Sequence, residues 1–75
     1  MFLVKNIVGS QVRLARKQLK MTQDELAVRL QLDGWDVSRS GVAKIEIGIR
    51  QVTDVEVVRL AKALHVSVGW LFGEA

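Results

Sequence analysis

The sequence predicts an all-α fold, a compact globule of five short helices, and three observations carry that prediction. Apolar residues recur three and four positions apart along almost the whole chain, the spacing that lines one side of a helix. Thr22, Ser38, Thr53 and Ser67, all residues that cap helix N-termini, each stand immediately before such a segment. There is no proline to break a helix, and the six glycines are scattered rather than grouped into a linker.

The first helix is placed at about 7–19. Val8, Val12, Ala15 and Leu19 form its core face, while Arg13, Arg16, Lys17 and Lys20 form a second, basic face. The second helix, 23–32, opens on Thr22, whose hydroxyl can accept from a free amide of the first turn. Glu25, three residues on, reaches back to complete a capping box. Leu26, Ala27 and Leu30 are its core positions, Asp33-Gly34 breaks it, and a loop carrying Trp35 follows. Ser38 caps a third helix, 39–46, with Val42 and Ile45 inward and Gly48 where a left-handed residue would end it. Thr53 with Glu56 repeats the capping box ahead of a fourth helix, 54–64, whose core face is Val57, Val58, Ala61 and Leu64. Ser67 opens a fifth, 68–72, and Gly73 closes it. Short connections between local elements give a low contact order and fast folding.

Composition narrows the function. At 75 residues the chain is half the roughly 150 of an average domain, so a single domain spanning 1–75 is expected and large catalytic architectures are excluded. A domain this small buries only about 60% of its unfolded surface, and its core supplies ~3–5 kcal/mol. The absence of cysteine removes disulfides, zinc fingers and thiol chemistry and favours a reducing compartment; one histidine leaves no metal site. No cofactor and no small-molecule ligand is indicated. No apolar run approaches the about 20 residues of a membrane span or the about 7–15 of a signal-peptide core, so cytoplasmic residence without membrane contact is the expectation. The net charge of +3 is modest, but Lys5, Arg13, Arg16, Lys17 and Lys20 all precede the first acidic residue. That cationic block can attract an anionic partner. No Ser-His-Asp order, glycine-rich phosphate loop or usefully spaced acid pair is present, so no enzymatic activity is expected. His65 sits at a helix end, where a histidine interacts favourably with the dipole.

Residues 21–48 carry the function: a capped helix, a break, and a short helix whose outer positions Ser40, Gly41 and Lys44 are small or cationic. A helix enters the DNA major groove only if it is slim on its outer side, offers donors there and is held by another helix lying across the backbone. This is the pattern of a helix-turn-helix. Here the chain resembles the phage-repressor and Cro-like (lambda-repressor-like) helix-turn-helix family over nearly its whole length. The matching strings are Leu14-Ala15-Arg16-Lys17, Met21-Thr22-Gln23-Asp24-Glu25-Leu26-Ala27, Val37-Ser38-Arg39-Ser40-Gly41-Val42-Ala43-Lys44-Ile45-Glu46, and Leu60-Ala61-Lys62-Ala63-Leu64-His65-Val66-Ser67-Val68.

The resemblance implies that Gln23 contacts a phosphate and braces the reading side chain, that Arg39, Ser40 and Lys44 face the bases, and that Arg50 contacts a phosphate. Arginine is the commonest bidentate reader of guanine, lysine reads the same edge less precisely, and serine is permissive. It also implies that Arg16 pairs with Glu46 as scaffold. In two places the chain departs from the family. Six residues, Gln31 to Asp36, lie between Leu30 and Val37 where members have one or two, so the turn is enlarged. Gly41 costs about 1 kcal/mol relative to alanine inside a helix and would permit close approach to a phosphate or base.

The resulting expectation is a sequence-specific transcriptional regulator, a repressor, binding double-stranded DNA as a homodimer. Its alternative is a protein-interaction module, an antitoxin or adaptor, using the same fold. Two dimer surfaces stay open: the C-terminal helix with Trp70, and an apolar stripe of Leu3, Ile7 and Leu14 on the first helix.

Overall fold

The computed structural model describes residues 5–74. Among them are five helices, α1 (Gly9–Gln18), α2 (Gln23–Leu32), α3 (Arg39–Glu46), α4 (Asp54–Leu64) and α5 (Val68–Leu71), and no strand. The fold is all-α. Both capping boxes are formed: the Thr22 and Thr53 hydroxyls accept from the Glu25 and Glu56 amides at 3.0 and 3.2 Å, and each glutamate accepts from the threonine amide at 3.0 Å. The hydroxyls of Ser38 and Ser67 cap α3 and α5 in the same way, at 3.1 and 3.0 Å.

The helices surround one core to which all five contribute. It contains Val8, Val12 and Ala15 of the N-terminal part, Leu26, Ala27 and Leu30 of α2, Val42 and Ile45 of α3, Val57, Leu60, Ala61 and Leu64 of α4, and Leu71 of α5. Two expected core positions lie outside it. Leu19 is 41% exposed because α1 stops at Gln18 and Lys20 takes a left-handed φ of 54°, which turns the chain so that Met21 fills the site instead. Val58 is 57% exposed, a third of a turn away from the stripe on which Leu60 is fully buried.

The start of α1 also departs from the expected position. Ile7 precedes the helix, and the cap is supplied by Asn6, whose Oδ1 accepts from the amides of Val8 and Gly9 at 3.1 and 2.8 Å. The same side chain donates to the carbonyls of Ile45 and Arg50 at 3.1 and 2.8 Å, and the Lys5 amide donates to the Gly48 carbonyl at 2.8 Å. Residues 5–6 thus fasten the entry of α1 to the exit of α3. The approach is so close that a Cβ on Gly9 would collide with the Ile45 carbonyl oxygen.

α2 and α4 cap each other's C-termini. Arg29 of α2 donates to the Ala63 carbonyl at 3.3 Å, while Arg59 of α4 donates to the backbone carbonyl of Asp33 and, at 3.2 Å, to its carboxylate. Cations placed against two converging negative helix ends supply what the last carbonyls lack. His65 completes the end of α4 as a left-handed residue with φ 57°.

Candidate nucleic-acid interface

α3 presents two different faces. Gly41, Val42, Ile45 and Glu46 are buried, whereas Arg39, Ser40 and Lys44 are exposed and share the outward side with half-buried Ala43. Helical periodicity produces this segregation: the inward residues follow the core pattern and the outward ones fall between them. The outward strip carries two cations and no carboxylate, and its small residues keep it slim.

The orientation of α3 is set by a buried ion pair. The Arg16 Nε donates to Glu46 Oε2 at 2.7 Å, its Nη2 donates to Oε1 at 3.1 Å, and its Nη1 donates to the Met21 carbonyl at 2.7 Å. The two side chains are 10% and 1% exposed. The hydrogen bond to Glu46 raises the Arg16 pKa, against desolvation, which lowers it. Gln23, the first residue of α2, adds a third donor to the same carboxylate, Nε2 to Oε1 at 3.1 Å. α1, the start of α2 and the end of α3 are therefore joined at one carboxylate, a bidentate geometry that fixes angles as well as distance. Gln23 is half-buried and engages Glu46 rather than Arg39, Ser40 or Lys44. With Arg16, Thr22, Asp24 and Arg39 it lines an open recess beside α3.

Arg50 and Gly41 lie on the opposite flank. The Arg50 guanidinium is 5.6 Å from the centroid of the Trp35 ring. Gly41 is buried, and a Cβ there would stand 2.6 Å from Arg50 Nη1 and 2.7 Å from Val37 Cγ2. The space the glycine leaves is filled by the protein's own side chains, so the close approach expected at Gly41 is made by Arg50.

Other residues singled out in the sequence are placed elsewhere. His65 is exposed, 3.4 Å from Arg29 through Nε2. Trp70 is half-buried against the core, and its carbonyl accepts from Gln11 Nε2 at 3.0 Å. Ile7 is 73% exposed but precedes α1, so it does not share a helical stripe with exposed Leu14; Leu3 lies outside the described residues. Asn6 escaped sequence reading because a helix start at Ile7 hid its role; the signal was an Asx residue three positions before a glycine at a close contact. Among the described residues no group of acidic, histidine or cysteine side chains could hold a metal, and no helix is long and apolar enough to cross a membrane.

Residues 12–71 match the family model described as helix-turn-helix. Comparison with curated proteins and with solved structures returned no match. The matched segment takes in α2, the turn and α3 with the helices that hold them, and the chain belongs to the helix-turn-helix family of DNA-binding regulators.

Proposed function

We propose that the chain is a sequence-specific repressor that reads the major groove of double-stranded DNA with α3, acting in the cytoplasm as a homodimer and as one domain throughout. The observation that carries this reading is the outward strip of Arg39, Ser40 and Lys44, slim, cationic and free of carboxylates, on a helix whose pitch is held by the Arg16–Glu46–Gln23 network. Arg39 and Lys44 supply donors suited to guanine O6 and N7, and Ser40 tolerates several base edges. Gln23 and Arg50 border the strip and supply phosphate contacts, while Gly41 acts indirectly by making room for Arg50. Repression needs only occupancy of a site that polymerase must use.

One short reading helix spans too few base pairs for specificity. Two related by a twofold axis address half-sites about 34 Å apart and add their free energies. A groove lined by Ile7, Val52, Val57 and Phe72 brings one residue of the proposed N-terminal surface and one from the C-terminal end together, with Ile7 and Phe72 73% and 46% exposed. This groove is our proposed seat for the second copy. The same apolar surface favours the second reading, a protein-interaction module in which a different protein occupies it.

Selection of bound duplexes from a random pool tests the proposal: an enriched palindrome with half-sites one helical turn apart is expected, and no enrichment would refute it. Salt separates the two readings, since a DNA complex loses affinity steeply with rising salt and an apolar protein interface does not.

A further inference from the structure

Two unusual features of this sequence, the enlarged turn and the glycine inside α3, meet at a single side chain. Arg50 leaves the loop behind α3 and lies back along the helix, its guanidinium over Trp35 at 5.6 Å and its tip against Gly41. The turn that delivers Trp35 is ordered by its own hydrogen bonds. Gly34 takes φ +96°, the Trp35 amide donates to the Leu30 carbonyl at 2.9 Å, and Gln31 Nε2 donates to the Val37 carbonyl at 2.8 Å. The indole packs on the core, so it is a fixed platform rather than a mobile loop residue.

Arg50 differs from the other partly buried arginines. Arg16 and Arg59 both donate to a carboxylate and a carbonyl. Among the described residues the Arg50 guanidinium has neither kind of partner, although it lies over an aromatic ring. A guanidinium held over a ring by cation–π attraction spends no N–H group on its holder, which leaves its donors for a phosphate. On the helical wheel Gly41 flanks Lys44 at one margin of the outward strip, and Arg39 flanks Glu46 and Gln23 at the other. The groove of a duplex seated on α3 would therefore have one phosphate wall on the Gln23 side and its other wall on the Arg50 side.

We infer that Trp35 is a positioning residue that holds the Arg50 guanidinium for a phosphate of the strand on the Lys44 side, with Gly41 supplying the space. This rests on the DNA-binding reading above. Because Trp35 acts through Arg50, its loss removes one phosphate contact per subunit, an effect that a merely structural tryptophan would not have.

The test is a titration of a labelled pool of random-sequence duplexes of about 20 base pairs at salt from about 50 to 200 mM, where each phosphate contact contributes about 0.9 to the slope of log affinity against log salt. Trp35→Leu keeps an apolar side chain on the core but removes the aromatic face; Trp35→Phe keeps one. Arg50→Ala and Trp35→Leu are each expected to flatten the slope by about 0.9 per subunit, about 1.8 for the homodimer, so that the loss of affinity across this range shrinks about 12-fold. The double variant flattens it no further, and Trp35→Phe stays near the wild type. Flattening by Arg50→Ala with Trp35→Leu at the wild-type slope would overturn the positioning role, and Arg50→Ala at the wild-type slope would overturn the contact itself. Salt-insensitive binding by the wild type, or none, would remove the DNA-binding reading and this inference with it. Should Trp35→Leu fail to melt cooperatively, Trp35→Met takes its place, since its unbranched apolar side chain adapts to the space over the core without an aromatic face; the same flattening is expected, and a wild-type slope would overturn the inference.

Discussion

Truncating Glu46 to alanine removes a carboxylate that is 1% exposed and accepts three hydrogen bonds, two from Arg16 and one from Gln23. Arg16, whose side chain is only 10% exposed in the wild type, then keeps only the Met21 carbonyl as a partner and is left poorly solvated. Stranding one member of a buried pair costs about 3–5 kcal/mol. A core of this size supplies ~3–5 kcal/mol in all, and each kcal/mol moves the melting temperature of such a domain by about 4–8 °C. A drop of at least ~12 °C, or loss of a cooperative transition, is therefore expected in thermal unfolding followed by far-ultraviolet circular dichroism. DNA binding should fall with the unfolded fraction and, in the molecules that stay folded, with the loosened pitch of α3. The double variant Arg16→Met with Glu46→Leu should melt above Glu46→Ala, because it leaves no buried charge. A Glu46→Ala protein that melts within about 4 °C of the wild type while binding DNA poorly would refute the reasoning and make the pair a contact site.

Four further outcomes can be checked. Arg39→Ala and Lys44→Ala should each weaken specific binding by about 1–3 kcal/mol with little change in melting temperature; equal losses on a selected and an unrelated duplex would mean that neither reads bases. Gly9→Ala should destabilise the fold by about 1–3 kcal/mol through overpacking against the Ile45 and Glu46 carbonyls, and an unchanged denaturant midpoint would show that α1 can shift without cost. Hydrogen bonds from the Thr22 amide and hydroxyl hold the Glu25 carboxyl below its ordinary pKa of 4.5, so its contribution is present above that pH and is lost as pH falls through the lower folded value; Glu25→Gln should lower the melting temperature at neutral pH and converge with the wild type in acid, flattening the acid limb of the profile, and a gap that persisted in acid would refute the linkage. Sedimentation of wild type, Phe72→Glu and Leu14→Glu at micromolar concentration should show a dimer lost in the Phe72 variant; loss only in the Leu14 variant would move the interface to α1, and a wild type monomeric even on a palindromic duplex would end the dimer proposal.

What could be read from the sequence was what residues a few positions apart decide between themselves. Thr22 with Glu25, Thr53 with Glu56, and the hydroxyls of Ser38 and Ser67 satisfy amides three residues away, and need nothing from elsewhere in the chain. Periodicity likewise divides α3 into Val42 and Ile45 inward and Arg39, Ser40 and Lys44 outward. It was insufficient for Leu19 and Val58, each apolar and near the core stripe, because whether a borderline position is covered depends on where the helix ends and which neighbour lies over it.

The remaining features join residues distant in the chain. Asn6 fastens α1 to Ile45 and Arg50, Gln23 meets Glu46, and Arg50 comes to rest on Trp35 in the space left by Gly41. Such pairings follow from the angles at which the helices cross, and those angles are set by the packing of the whole core rather than by any local pattern. Sequence alone thus determined the five helices, the caps of α2 to α5 and the outward strip of α3, through hydrogen bonds and periodicity within a few residues. Only the tertiary structure decided which side chains brace that strip and which is left free to meet a phosphate, because these depend on contacts made after the helices pack.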